Sequence, residues 1–295
     1  MKEKVLLLGN GINNIDRNNS WSNLIDSIIT HIGANGKIIN KDKPFPLLYE
    51  EIYVEAIKNK GFNELEIKEY IAYNMRSLNP NVIHKNILNT GITDILTTNY
   101  DLTLESHLTD NIENLRNEGF VKESTYSIFR NFRIGNTNIW HIHGDCNYPK
   151  SITLGYEHYS GYLQQMRNYV TTGTGDSYKD IKLEPLTKRL KNKLYQNYSW
   201  LDFFFTKDIY ILGLTLDFIE IHLWWLLTFR QRAILTKKLD LNNRIVYFYP
   251  DTLIDKINNK LQLLNSIGVI TVPCKMDLNR KLTYYQEAME YIKNN

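Results

Sequence analysis

The sequence predicts an α/β fold, an open parallel sheet with helices on both faces and a helical cap. Three observations carry this. Short apolar runs recur along the chain and close on glycine or a small polar cluster, as buried parallel strands do. Stretches of helical periodicity alternate with them, the pattern of β-α-β units. Two longer segments carry helix signals with no strand signal between them.

The elements follow in order. Val5-Leu6-Leu7-Leu8 is a buried strand closed by Gly9. Leu24, Ile25, Ile28, Ile29 and Ile32 then fall at helical spacing, with Ser20 or Ser22 as a cap. Residues from about Leu47 to Leu88 read as several helices. Asp94–Thr97 is a second strand, ending in Thr98-Asn99-Tyr100-Asp101, and Asn138–Ile142 a third, ending in His143-Gly144-Asp145. The segment from about Tyr156 to Thr206 is mostly helical. Ile209–Leu212 is a fourth strand, ending in Gly213. Ile219 to Leu227, with Trp224 and Trp225, reads as a helix buried nearly all round. Arg244–Phe248 and Val269–Val272 are two further strands, and a last helix runs from about Arg280 to Ile292.

Composition narrows the function. The chain has 295 residues, 43% of them hydrophobic and 12% aromatic, enough for a real core. Net charge is +3, too near neutral to argue for a nucleic-acid or membrane partner. The basic stretch 188–193 has the spacing of a solvated helix face. Two cysteines, Cys146 and Cys274, imply no disulfide framework and cannot build a four-cysteine zinc site. The apolar run near the N-terminus is too short for a signal peptide. The one near Phe218 to Phe229 carries Glu220 and His222 and falls short of the ~20 residues of a membrane span. A cytoplasmic protein is expected.

Ligands of open α/β sheets bind beyond the carboxyl ends of the strands. Four clusters lie at such ends. Gly9-Asn10-Gly11 allows a tight turn and close approach of a phosphate to backbone N–H groups. Asn14 stands where a dinucleotide fingerprint wants a third glycine. In Thr98-Asn99-Tyr100-Asp101, Asn99 can hold a ribose hydroxyl or a water, while Asn99 or Asp101 can equally cap the next helix. His141-Ile142-His143-Gly144-Asp145 can exchange protons at cellular pH. It also reads as half of a metallo-β-lactamase-like zinc signature, with Cys146 in place of the usual histidine and only His158 and His222 downstream. Gly213-Leu214-Thr215-Leu216-Asp217 can meet the adenosine half of a dinucleotide, or Thr215 or Asp217 can cap a helix.

Taken in order, these clusters resemble the sirtuin superfamily, and within it the bacterial defence-associated sirtuin-like NAD hydrolases. The matching residues are Gly9-Asn10-Gly11, Thr98-Asn99-Tyr100-Asp101, His143-Gly144 and Gly213-Leu214-Thr215. Two departures from protein-deacylating sirtuins, the lack of a four-cysteine zinc module and the diverged loop Asn13 to Trp21, weaken the expectation of acyl-lysine chemistry. The resemblance implies a Rossmann-like sheet without a zinc module, in a single domain over 1–295 with helical insertions near 33–92 and 156–206.

It further implies NAD as substrate, with its nicotinamide–ribose bond cleaved by water through a ribose cation-like state, and no metal. Asn99 would position water or ribose, His143 would bond the ribose hydroxyls and handle a proton, and Asp101 would orient either. Gly9, Asn10, Gly11, Asn13, Thr98, Gly213 and Thr215 would hold the cofactor. Asp16 lies in the diverged loop and takes no assigned role. Such an effector of antiphage defence by NAD depletion must be restrained before infection. A homo-oligomer, or a separate sensor subunit such as a helicase-like ATPase, is the expected restraint. A non-catalytic module sensing NAD or ADP-ribose for a partner is the other reading.

Overall fold

The computed structural model describes residues 2–14, 21–175, 177–178, 181–277 and 281–295. Ser20, Asp16 and Arg280, named above, lie outside these described residues.

Among the described residues, seven strands form one sheet: β1 (Lys4–Leu8), β2 (Asp94–Thr97), β3 (Phe132–Ile134), β4 (Thr137–His141), β5 (Asp208–Leu212), β6 (Ile245–Pro250) and β7 (Ile270–Cys274). Their spatial order is β3-β4-β2-β1-β5-β6-β7. Six run parallel, and β3 alone is antiparallel, paired to β4. The chain leaves β1 through β2 to β4, then returns to the other side of β1 through β5, β6 and β7. The strand order therefore reverses between β1 and β5, where open α/β sheets bind their ligands. The predicted open parallel sheet with helices on both faces is the fold found.

Among the described residues, ten α-helices surround the sheet: α1 (Trp21–His31), α2 (Phe45–Lys60), α3 (Glu64–Arg76), α4 (Val82–Leu88), α5 (Tyr156–Thr171), α6 (Leu186–Lys191), α7 (Trp200–Thr206), α8 (Ile221–Leu235), α9 (Ile254–Ser266) and α10 (Lys281–Asn294). Local chemistry sets their ends. Asn63 accepts from Glu66 N at 3.1 Å while Glu66 accepts from Asn63 N at 2.7 Å, so both ends of the first turn of α3 are satisfied. The preceding helix, α2, stops where Gly61 turns left-handed, φ +63°.

Alternate strand residues feed two cores, as a period of two requires. Val5, Leu7, Leu96, Trp140, Ile209 and Ile211 join one face, covered by α5 to α9. Leu6, Leu8, Ile95, Ile139, Tyr210 and Leu212 join the other, covered by α4 and α10. Each fully buried side chain of this size contributes about 1.5–3 kcal/mol, so the doubly covered sheet is the rigid base of the molecule.

The two helical stretches do different work. Helices α1 to α3 form a third core of their own with Tyr100, Leu102, Ile152 and Leu154, and so make a true cap. The stretch 156–206 instead places Tyr162, Met166, Leu186, Trp200 and Phe203 into the first sheet core, as a covering layer rather than a cap.

Two smaller expectations fail. Thr215 and Asp217 cap nothing, because α8 begins at Ile221 with no side-chain cap, and Thr215 Oγ1 donates to Asp217 instead (3.3 Å). That helix is buried on one side only, with Trp224, Trp225 and Phe229 half-buried. Among the described residues, no helix is long and apolar enough to cross a membrane.

Candidate functional site

The turns after β1 and β5 interlock. Gly9 N donates to Leu212 O (3.1 Å) and Gly11 N to Gly213 O (2.9 Å). A Cβ on Gly9 would lie 2.5 Å from Leu214 Cα, and one on Gly11 2.7 Å from Gly213 O. Both glycines are therefore demanded by the crossing of two chain segments. Their N–H groups are engaged there and do not face a phosphate. Asn10 and Gly11 still line the cavity above, as do Gly213 and Thr215.

Beyond β2, the loop holding Asn99 is fixed from below. Asn99 N donates to Thr97 Oγ1 (3.0 Å), and Asn99 O accepts from His141 Nδ1 (2.8 Å). His141 Nε2 lies 2.7 Å from Glu105 Oε1, in a pair that is almost wholly buried. A carbonyl and a carboxylate can only accept, so both ring nitrogens carry protons and His141 is a cation. Burial alone would lower its pKa. The charge and hydrogen bond of Glu105, then Asp145 and the Asn99 carbonyl, outweigh it and raise it to about 9.

A stability prediction follows. The folded-state pKa lies above the ordinary 6.5, so this contribution is complete below about pH 6.5 and disappears as pH rises through about 9. The urea midpoint of the wild type should fall more between about pH 6 and about pH 9.5 than that of Glu105→Gln. Equal falls in the two proteins would refute the pair's role.

Asp101 and Asn13 form a buried polar knot. Asn13 Nδ2 donates to Asp101 Oδ2 (2.6 Å), and Asp101 Oδ1 accepts from Thr103 N (3.1 Å) and Thr103 Oγ1 (2.5 Å). His84 of α4 donates from Nε2 to Asn13 Oδ1 (2.9 Å) while its Nδ1 accepts from Asn81 N (3.0 Å). Burial holds His84 neutral, its pKa down to about 4. Asp101 caps no α-helix; only a short 3-10 turn, Glu105–His107, follows it.

The His141–Asp145 cluster splits in three directions. His141 faces Glu105. Asp145, fully buried, pairs with Arg130 (2.8 Å) and accepts from Asn147 N (2.9 Å) and Tyr148 N (3.1 Å). His143 points toward α8, its Nε2 2.9 Å from His222 Nε2 and 3.4 Å from Glu220 Oε2. His141, His143 and Asp145 therefore do not converge, and the zinc signature read across them fails. Gly144 takes φ +88°, where a Cβ would sit 2.2 Å from Ser151 O. Only glycine lets the chain turn there directly after His143.

Burial holds the His143 pKa down to about 3, and burial with the neighbouring His143 holds His222 well below its ordinary value. Both rings are neutral, so one proton serves the two facing nitrogens. Burial, then Asp217, pushes the Glu220 carboxyl up to about 8.

These residues open onto one cavity of about 940 Å³. Of the residues singled out in the sequence, Asn10, Gly11, Thr98, Asn99, Asp101, His143, Gly213 and Thr215 line it; Gly9 and Asn13 do not. The cap supplies a further wall with Trp21, Phe45 and Met75. Two buried acceptors at the cavity, Asn99 Oδ1 and Asn14 Oδ1, have no hydrogen-bond partner among the described residues. A buried polar atom left so is costly unless a ligand or water meets it, so the cavity fits a polyhydroxylated ligand such as a nucleotide ribose.

Glu220, Tyr159 and Asn14 also line the cavity and were not picked out as site residues. Glu220 and His222 did carry a signal, as the polar residues inside the apolar run 218–229. Arg130 and Glu105 had none, because their partners lie 15 and 36 residues away.

The fold is that of an α/β protein with a polar-lined cavity at the switch point of its sheet. Residues 93–201 match the family model of the SIR2-like domain. This segment, a little over a third of the chain, carries β2, the Asn99 loop, β4 and His143. The match implies NAD binding and an NAD-related function in the broad sense. A search of the curated proteins found no match.

Proposed function

We propose that the chain is an NAD glycohydrolase that cleaves the nicotinamide–ribose bond and serves bacterial antiphage defence by depleting NAD in the cytoplasm. The observation that carries this reading is the unpartnered, buried Asn99 Oδ1 in the same cavity wall as His143. An acceptor held open by a fixed loop is suited to orient a water or a ribose hydroxyl. A neutral imidazole lining the same cavity can accept the proton. In hydrolysis, the water oxygen bonds to the ribose anomeric carbon as the bond to nicotinamide breaks. Nicotinamide leaves neutral, and the water proton passes to His143 and then to solvent. Asp101 lines the cavity with both oxygens engaged by Asn13 and Thr103, so it holds the Asn99 loop rather than meeting the substrate with a free oxygen.

Restraint before infection belongs to the same proposal, through a homo-oligomer or a separate sensor subunit such as a helicase-like ATPase. The test is NAD consumption by the purified chain, alone and with extract of phage-infected cells as the source of trigger. Asn99→Ala should lower turnover by at least about 10², the low end for losing one positioned catalytic group. Saturable NAD binding with no turnover in either protein would sink the enzyme reading and leave a sensing module. Equal turnover by both would remove Asn99 from the chemistry.

A further inference from the structure

His143, Glu220 and His222 stand together at the inner wall of the cavity, and the NAD reading uses only the first of them. Their separations are 2.9 Å between the two Nε2 atoms, 3.4 Å from His143 Nε2 to Glu220 Oε2, and 3.8 Å from His222 Nε2 to the same oxygen. Zinc ligands at about 2.0–2.1 Å in a tetrahedron lie about 3.3–3.4 Å from one another. The three distances bracket that edge, so small side-chain shifts would place all three donors on one ion.

From this geometry we propose that His143, His222 and Glu220 form a binding site for one divalent transition-metal ion of the zinc type, with a fourth position open to the cavity.

The donor set suits such an ion. Two imidazoles and one carboxylate with an open position is a known ligand combination for zinc. Imidazole binds metal only in its neutral form, and both rings are buried with their Nε2 atoms facing each other. Without an ion the trio is poorly satisfied: one proton serves two facing nitrogens, and Glu220 Oε2 has no hydrogen-bond partner among the described residues. His222 Nδ1 also lacks one. Its ring is fixed instead by Tyr159 and Tyr162, each with its centroid 5.4 Å away. Preorganised ring orientation is what an outer shell normally supplies to a metal-bound histidine. His143 and Glu220 line the cavity, so the fourth position can take a water or a ligand oxygen. This site stands independently of whether the chain cleaves NAD.

The test is titration of the full, tag-free chain, stripped with chelator, with Co²⁺ as a spectroscopic stand-in and Zn²⁺ as competitor. One equivalent of Co²⁺ should give the visible absorption of a low-coordinate site, and Zn²⁺ should abolish it. His222→Ala should weaken affinity by at least about 100-fold, the upper range for loss of even an outer-shell partner. Glu220→Gln, which keeps volume and shape, should act in the same direction and guards against a folding defect in the first variant. Asn99→Ala should leave Co²⁺ affinity unchanged. Absence of the band in the wild type, or its persistence in both His222→Ala and Glu220→Gln, overturns the site. NAD turnover is not read in any arm, so failure of the hydrolase reading and failure of the metal site remain distinct.

Discussion

His143→Ala is expected to keep its fold and lose NAD cleavage by about 10²–10⁴, the usual worth of a positioned acid–base group. The assay is single-turnover conversion of NAD at saturating substrate, in buffer with chelator so that no ion occupies the histidine pair. His143 is neutral, lines the cavity and hydrogen-bonds deeper into the protein through the same nitrogen that would serve as base. Removing it deletes the acceptor while the Asn99 loop, clamped by His141, keeps its position. Nucleotide affinity should therefore change far less than turnover. A variant that turns over NAD at the wild-type rate would place the chemistry elsewhere.

Arg130→Met is expected to cost about 3–5 kcal/mol of folding stability, the range for breaking a buried ion pair from one side. Arg130 and Asp145 are 2.8 Å apart and almost wholly buried. The carboxylate left behind would keep its bonds to Asn147 N and Tyr148 N and the more distant charge of His141, but lose the cation paired directly with it. Urea unfolding measures the loss. The double variant Arg130→Met/Asp145→Leu should recover part of it, because the unpaired charge is gone. A single variant within about 0.5 kcal/mol of wild type, the span of ordinary surface changes, would mean that solvent reaches Asp145.

The fold was legible because a parallel sheet covered on both faces writes itself as continuous apolar runs, and β1, β2, β4 and β5 all carry such runs. β3 escaped. Its three residues sit at the sheet edge, only Phe132 is buried, and the hairpin turn opens on Gly135 with no apolar run behind it. The site was legible in outline for the same reason: its loops follow strand ends, and sheet order brings those ends together. What the chain could not disclose is direction. His141 and His143, two apart, should share a strand face, yet the strand ends at His141. His143 then turns toward α8, so one ring faces Glu105 and the other His222. The glycines of the first turn read as a phosphate cradle, and the structure packs them against the turn after β5 instead. Their reason was hidden, because it depends on the approach of Gly213, two hundred residues away.

The segment from α2 to α4, two helices of the cap and the one that follows, is bound to the rest of the molecule by four polar links: His84 to Asn13, Asn81 Nδ2 to Ile12 O (2.8 Å), Arg76 to Cys146 O (2.7 Å), and Lys68 Nζ to His158 Nε2 (2.8 Å). It is therefore not a module that can be exchanged like a lid. A chimera that swaps residues 43–88 for a foreign segment would have to import each of these side chains in register. Drift in this segment is in turn constrained at these four positions and freer on its outward face. Specificity can evolve through Phe45 and Met75, which touch the cavity without touching the links.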